Sequence, residues 1–177
     1  RLVQKDGLPF VQKSIYSVVN NRSLFHTMLR TASLAGKPFS KDGFIRHLPM
    51  FLSDLTENRS LPAIADQPLR DKISRISRKI ANPAKRVAFF SGCNIDFVFP
   101  KTGESVFKVL QDLNMEVVFP EDQSCCGKPV LGMGDRETAK SIAKRNIKAF
   151  EQADADVIIA ACPTCAETWH QTYQELF

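Results

Sequence analysis

The stretch RVAFFSGC, residues 86–93, decides the fold, because four consecutive apolar residues run directly into a Ser-Gly turn and a cysteine. Two further continuous apolar runs follow, at Val117–Phe119 and Val157–Ala160. Continuous rather than alternating runs are typical of strands that a parallel sheet buries on both faces. The order β-α-β-α-β-α predicts a doubly wound α/β unit with right-handed crossovers. Its helices are predicted from helix-spaced apolar residues at Val106–Leu113, Ala139–Phe150 and Ala166–Phe177.

The first 85 residues follow a different pattern and are predicted to be mostly helical. Apolar residues recur there at helical spacing, interrupted by proline-containing segments. Serine and asparagine favour helix starts, whereas glycine and proline favour helix ends. The elements predicted in chain order are a helix ending near Asn20–Asn21, a helix from an N-cap at Ser23 to Gly36, a helix from Phe44 to Leu55 broken at Pro49, an extended stretch at 61–68, and a helix at 71–80.

Charge divides the chain at the same place. Residues 1–85 hold 15 basic and 6 acidic residues, a net charge of +9, whereas residues 86–177 hold 9 basic and 13 acidic residues, a net charge of −4. We therefore predict a basic helical segment and linker region, residues 1–85, followed by a cysteine-rich domain, residues 86–177. No aromatic residues interleave the basic stretch at 70–79, so base stacking is not supported and no nucleic-acid partner is expected.

Composition excludes several classes of protein. Apolar residues make up 44% of the chain and charged residues 24%, which is ordinary for a globular core and excludes a collagen-like or disordered chain. No apolar run approaches the ~20 residues of a membrane-spanning helix. The chain begins with Arg1 and has no signal-peptide layout at its start, so we expect a fragment, a processed chain or a chain lacking its first residues.

The five cysteines all lie in the second half of the chain. An odd number is awkward for a secreted disulfide framework, and without a secretion signal a reducing compartment is the simpler expectation. Each group follows a predicted strand: Cys93 the first, Cys125 and Cys126 the second, Cys162 and Cys165 the third. Because parallel strands end at one edge of a sheet, we expect the five thiols to converge there, where α/β sheets bind ligands.

The spacing C-x31-C-C-x35-C-x2-C favours a polynuclear metal site over a zinc site. Zinc is typically held by paired C-x2–4-C knuckles, and only one such knuckle is present here. Cys125 and Cys126 are not expected to form a disulfide with each other, because neighbouring Cα atoms lie ~3.8 Å apart, below the disulfide range of ~4.4–6.8 Å. Five soft thiolates suit several irons better than one zinc ion. Zinc nevertheless stays open as an alternative, and so does burial of Cys93 as an ordinary small hydrophobe.

At these residues the chain resembles the cysteine-rich CCG domain of heterodisulfide reductases and of the iron–sulfur subunits of glycolate oxidase, L-lactate oxidation systems and anaerobic glycerol-3-phosphate dehydrogenase. The resemblance covers residues 86–177. It rests on Gly92-Cys93, Pro100 with Gly103, Pro120, Gln123, Cys125-Cys126-Gly127 with Pro129, Gly132 and Gly134, Asn146, and Cys162-Pro163-Thr164-Cys165. It implies an iron–sulfur cluster, a [4Fe-4S] cluster that is non-cubane in the heterodisulfide reductase branch. The implied ligands are Cys93, Cys125, Cys126, Cys162 and Cys165.

The resemblance also implies a function and partners. We expect an electron-transfer subunit or domain that works with a flavin-containing dehydrogenase subunit on a 2-hydroxy acid such as lactate or glycolate, and not an enzyme on its own. The family's oxidase branch carries a ferredoxin module upstream and a second CCG copy downstream, and this chain has neither, so it is expected to be the first copy from a longer protein.

The expected location is the cytoplasm or the cytoplasmic face of a membrane, reached through other subunits. Two alternatives stay open. The first is a catalytic cluster that reduces a disulfide, and the second is a zinc-stabilised interaction module. Lys128, beside the CCG triplet, is interpreted either as a charge that tunes a cluster or as a solvated side chain. Trp169 and Tyr173 are interpreted as core residues, and no Ser-His-Asp arrangement is evident.

Overall fold

The computed structural model of the protein describes residues 9–47 and 60–177. Two helices open the described chain: α1, Phe10–Asn20, and α2, Arg22–Gly36. Asn21 separates them in an extended conformation, and its side chain accepts a hydrogen bond of 3.1 Å from Leu24 N. The predicted N-cap at Ser23 is therefore wrong by two residues, because asparagine caps as well as serine and Ser23 already lies inside the helix. The predicted helix ends at Asn20–Asn21 and at Gly36 are confirmed.

A small antiparallel sheet follows, where helix was predicted. Its strands are β1, Ser40–Lys41, β2, Phe44–Ile45, and β3, Leu61–Pro62. Asp42 and Gly43 join β1 to β2 with φ angles of +55° and +80°, which is the backbone of a tight two-residue hairpin turn. The predicted helix is thus wrong at Phe44–Ile45, and the part of it from Leu48 to Leu55 lies outside the described residues.

The helix predicted at 71–80 is shorter than expected. A 3₁₀ turn, Leu69–Lys72, leads into the single-turn helix α3, Ile73–Ile76, and Ser77 is already extended. The side-chain amide of Gln111 donates a 3.0 Å hydrogen bond to the carbonyl of Ile76 and so satisfies the end of that turn.

The predicted parallel sheet is confirmed. Its strands are β4, Lys85–Phe90, β5, Met115–Val118, and β6, Val157–Ala160. They run in the order β5-β4-β6, and both neighbours pair with β4 in parallel. In β4 the four residues Val87–Phe90 are completely buried, as expected for the central strand of a sheet covered on both faces.

Helices cover both faces of this sheet. Phe89 packs on one side with Phe107 and Leu69, whereas Phe90 packs on the other with Phe150. The alternation follows from the two-residue period of a strand. The helices of this unit are α4, Gly92–Phe97, α5, Pro100–Asp112, α6, Lys128–Gly132, α7, Arg136–Glu151, α8, Pro163–Glu167, and α9, Tyr173–Leu176, with a π-helical turn, Thr168–Thr172, between the last two.

The N-terminal segment packs against the α/β unit. Tyr16 on α1 is buried with Val130 and Ile142 of α6 and α7. Leu69 is completely buried beside Gly103 of α5. The division of the chain into residues 1–85 and 86–177 stays a prediction. No helix in the described parts of the chain combines the length and apolar character needed to cross a membrane.

Candidate functional site

The five cysteines follow the carboxyl ends of the parallel strands. Cys93 lies in the first turn of α4 after β4, and Cys125 and Cys126 lie in the loop between β5 and α6. Cys162 precedes α8, and Cys165 lies within that helix. All five thiols are free; Cys125, Cys126 and Cys165 are buried, whereas Cys93 and Cys162 are partly exposed.

The structure places the five cysteines near enough for their thiols to shift one another's pKa values. Cys93 neighbours Cys125, and Cys125 neighbours Cys126. Cys165 in turn neighbours both Cys126 and Cys162. Within residues 9–47 and 60–177, no group of three or more His, Cys, Asp or Glu side chains has the geometry to hold a single metal ion. The role of the five cysteines as cluster ligands stays a prediction.

Hydrogen bonding sets the charge state of the thiols. The pKa of Cys126 is lowered to about 3, chiefly because the Cys125 and Cys165 thiols donate to it, with further help from the Lys128 backbone N–H and the Thr168 hydroxyl. Donation to Cys126 in turn raises the pKa values of Cys125 and Cys165. The pKa of Cys93 is lowered because Cys125 donates to it as well. The site therefore favours the thiolate, the form in which cysteine binds metals, at Cys93 and Cys126, and the protonated thiol at Cys125 and Cys165.

Gln123 ties the second cysteine loop to the first. Its side chain is completely buried, and its Oε1 accepts hydrogen bonds from Ser91 N at 2.8 Å and from Ser91 Oγ at 3.1 Å. Its Nε2 donates to the carbonyl of Phe89 at 3.1 Å. Since Ser91 precedes Gly92-Cys93, this single side chain fixes the loop that carries Cys125 against the turn that carries Cys93.

Asn146 of α7 holds the vicinal cysteine pair from the other side. Its completely buried side chain accepts from Ser124 N at 3.0 Å and donates to the carbonyl of Cys125 at 2.9 Å. It also donates to Tyr173 Oη at 2.9 Å, and the Tyr173 hydroxyl donates to the carbonyl of Cys126 at 3.0 Å. A fully satisfied buried network of this kind gives the loop one conformation.

Two glycines are required by backbone geometry next to the cysteines. Gly92 has a φ of +58°, and a Cβ there would lie 3.0 Å from Cys165 Sγ. Gly127 has a φ of +83°, and its N–H donates to Cys125 Sγ at 3.4 Å. Any other residue at these positions would strain the backbone, and at Gly92 a side chain would also crowd a thiol.

Two buried polar groups near the cysteines have no hydrogen-bond partner among the described residues and bear on whether an iron–sulfur cluster fits this site. Among the described residues, Ser124 Oγ and Trp169 Nε1 are buried and have no hydrogen-bond partner. Ser124 adjoins Cys125, and Trp169 packs against the core group that contains Cys126 and Cys165. Buried donors without partners call for an explanation. Hydrogen bonds to sulfur are one way in which proteins tune such clusters, so five soft thiols with spare donors fit one.

Several of these residues carry little signal in the sequence. Gln123 and Asn146 belong to the stretches that match the CCG family, but their hydrogen bonds could not be inferred from the chain. Thr168 was missed altogether, because the π-helical turn after α8 brings it near Cys126, where its hydroxyl donates to the carbonyl of Thr164 at 2.6 Å. Lys128 is neither free nor merely solvated, since its Nζ lies 2.9 Å from Glu167 and 2.7 Å from Thr172 Oγ1. Trp169 and Tyr173 pack against each other in the aromatic core, with ring centroids 5.0 Å apart.

Comparison with known proteins gives one matching family and several relatives. The family model of the cysteine-rich domain CCG matches residues 87–168. An uncharacterized iron–sulfur protein of Methanocaldococcus jannaschii is 33% identical over 142 residues, which cover 77% of this chain and 28% of the relative. A probable glycolate oxidase iron–sulfur subunit of Bacillus subtilis is 37% identical over 125 residues, covering 71% of this chain and 28% of the relative.

A shorter relative gives the highest identity of the three. Lactate utilization protein A 2 of Bacillus cereus is 39% identical over 92 residues, covering 52% of this chain and 37% of the relative. The chain thus spans about a quarter to a third of the length of the curated relatives it matches. No solved structure matches it.

Proposed function

Because residues 87–168 belong to the CCG cysteine-rich domain family, we propose that this chain is the cluster-holding part of an iron–sulfur subunit in an oxidoreductase that acts on a 2-hydroxy acid such as lactate or glycolate. The relatives described above as a glycolate oxidase iron–sulfur subunit and a lactate utilization protein support this substrate class. The observation that carries the proposal is the position of the five free cysteines after the carboxyl ends of three parallel strands.

The proposed ligands of a [4Fe-4S] cluster are Cys93, Cys125, Cys126, Cys162 and Cys165. When bound, such a cluster supplies a one-electron redox centre. The chain's own residues hold and tune it. Gln123 and Asn146 fix the two cysteine loops, and the buried Ser124 hydroxyl and Trp169 indole N–H are the donors available to sulfur. Burial, ligand number and hydrogen bonding of this kind set the reduction potential of an iron–sulfur centre.

The proposed partners are a flavin-containing dehydrogenase subunit, which would deliver electrons, and a further iron–sulfur or ferredoxin module, which would accept them. The proposed location is the cytoplasm, with attachment to a membrane only through other subunits. These proposals rest on the kinds of protein to which the relatives belong.

The test is a redox titration of anaerobically reconstituted chain followed by EPR, together with iron, sulfide and zinc analysis. An electron carrier shows iron and sulfide in equal amounts and one reversible one-electron transition, and has no disulfide reductase activity with a low-potential donor. Disulfide reduction by the isolated chain would shift the assignment to a catalytic cluster. Zinc without sulfide would replace the proposal with a structural metal site.

A further inference from the structure

Helix α7 carries an unusually basic outer face. Five of the nine basic residues in the range 86–177 lie on this helix of 16 residues. This basic face consists of Arg136, Lys140, Lys144, Arg145 and Lys148. Four of them follow one another at intervals of four residues, so their side chains stack along one stripe of the helix. Like charges at this spacing are mildly destabilising. Contacts within the chain offset part of this cost, because Lys140 Nζ and Lys144 Nζ lie 5.3 and 5.9 Å from the Phe177 ring centroid, and Arg136 donates to the carbonyl of Glu175 at 2.7 Å.

Acidic residues do not neutralise this face within the described chain. In residues 9–47 and 60–177, no ion pair involves Lys140, Lys144 or Lys148. Arg145 hydrogen-bonds only to the neutral side chain of Asn20, at 3.0 Å. Its pKa is lowered by burial and by the positive charge of Arg22 on α2, which itself pairs with Asp122 at 3.0 Å.

The surface here is recessed. One hollow of about 510 Å³ runs along α7 and is lined by four cations, Lys140, Lys144, Arg145 and Lys148, with one acidic residue, Glu137. A second hollow of about 510 Å³ lies toward α2 and is lined by asparagine and serine side chains and by Arg22, which pairs with Asp122 at 3.0 Å. The two hollows adjoin at Arg145, and the one along α7 is the more cationic.

The basic face lies directly behind the cysteine site. Asn146, on the buried side of the same helix, donates to the carbonyl of Cys125. An α-helix with its side chains is about 10–12 Å across. A molecule seated on the basic face is therefore separated from the vicinal cysteines by little more than one helix.

We propose that the basic face of α7 docks an acidic surface on a redox partner protein; this rests on the proposed electron-transfer function. A cationic face speeds the encounter with an acidic protein and orients it. A membrane is the less favoured partner, because helices that lie in a membrane surface insert an apolar face. The apolar face of α7, with Ala139, Ile142 and Ala143, is already buried in the core.

The test measures the rate at which reduced flavodoxin, a small acidic redox protein, reduces the reconstituted cluster in a stopped-flow instrument. The variant is Lys144→Glu/Lys148→Glu. The matched control is Lys101→Glu/Lys108→Glu on α5, which changes the net charge equally at two exposed lysines on another helix. Reduced methyl viologen, a small cationic reductant, reports whether each protein contains a reducible cluster at all.

We expect the flavodoxin rate of the wild type to fall with ionic strength. The α7 variant should be slower by about tenfold at low salt, within the range that electrostatic steering covers, and the α5 control should keep the wild-type rate within about twofold. Equal rates for the two variants would overturn the docking proposal. The docking proposal would also be overturned if anionic vesicles bound the wild type and not the α7 variant, while the two proteins were reduced by flavodoxin at the same rate. If methyl viologen does not reduce the wild type, the protein contains no reducible cluster. That result would refute the proposed electron-transfer function and not the docking proposal.

Discussion

Replacing Arg70 with methionine should destabilise the chain strongly, because it removes the only cation paired with Asp96 among the described residues. Asp96 is completely buried, and Arg70 contacts it through Nε at 2.7 Å and Nη2 at 2.6 Å. Arg70 Nη1 also donates to the carbonyl of Glu121 at 3.2 Å, and Nη2 donates to that of Gln123 at 3.4 Å. One guanidinium thus joins the N-terminal segment to helix α4, which carries Cys93, and to the loop that leads to Cys125.

The expected loss of unfolding free energy is about 3–5 kcal/mol, the usual effect of leaving a buried carboxylate without its partner. The matched control is Arg30→Met. Its pair with Asp71 is equally short, at 2.6 Å, but both side chains are more than a third exposed. An exposed pair is worth about 0–1 kcal/mol, so this control should unfold close to the wild type.

The assay is urea unfolding of the apoprotein at pH 7, followed by circular dichroism. If Arg70→Met does not fold, the double variant Arg70→Met/Asp96→Asn keeps the test informative, because it removes the buried charge together with its partner. The double variant should recover at least about 1 kcal/mol of stability. Equal lowering of the urea midpoint by Arg70→Met and Arg30→Met would contradict the importance of the buried pair. So would a double variant, Arg70→Met/Asp96→Asn, that is no more stable than Arg70→Met.

Three further predictions address packing, pH and the cysteine loops. Gly103→Ala should lower the free energy of unfolding in urea by about 1–3 kcal/mol, because the new Cβ would overlap the completely buried side chain of Leu69. The control is Gly132→Ala, where nothing lies within 4 Å of the new Cβ. The pKa of His26 is lowered from 6.5 to about 3, first by burial and then by Arg70, Arg22 and Arg30. The unfolded chain therefore binds a proton that the folded chain does not. The free energy of unfolding should fall as the pH drops below 6.5, by about 2 kcal/mol between pH 7 and 5. A His26→Gln variant that loses as much stability over the same pH range would contradict this. Asn146→Ala should lower the iron bound per chain by about tenfold at limiting iron. The control Gln152→Ala, at the end of the same helix, should bind as much iron as the wild type. Equal iron binding by the two variants would contradict the role of Asn146 in holding the cysteine loop.

The parallel sheet could be predicted from the sequence because its signal is local. Each strand is a continuous apolar run, and burial on both faces leaves few other structures for such a run. The position of the cysteines at one edge of the sheet could also be predicted, because each group follows a strand and parallel strands end at the same edge. That topology also makes neighbours of Cys93 and Cys125, and of Cys126 and Cys165, which are far apart in the chain.

The N-terminal region was harder to predict because tertiary contacts and turn chemistry decide it. Phe44 and Ile45 have helix-compatible spacing, yet the Asp42-Gly43 turn places them in a hairpin. The helix at 71–80 stops after Ile76, where a side chain of a distant helix satisfies its end. The buried pair of Arg70 and Asp96 joins residues 26 positions apart, and no pattern in the sequence links them.

The hydrogen-bond networks around the cysteines could not be predicted from the sequence either, because they too depend on tertiary contacts. A buried Gln123 or Asn146 can be recognised as unusual only when its surroundings are known. The π-helical turn that brings Thr168 to Cys126 depends on backbone geometry that the residue types do not indicate.

The central claim is that the five cysteines hold one iron–sulfur cluster, and the most direct test is chemical analysis and EPR of Cys126→Ala and Cys162→Ala after anaerobic reconstitution. The wild type should bind about four irons and four sulfides per chain and give an EPR signal in one redox state. Each variant should lose the cluster or change its spectrum, while circular dichroism of the apoproteins confirms that the fold is kept. Wild-type iron content and an unchanged spectrum in both variants would contradict the claim.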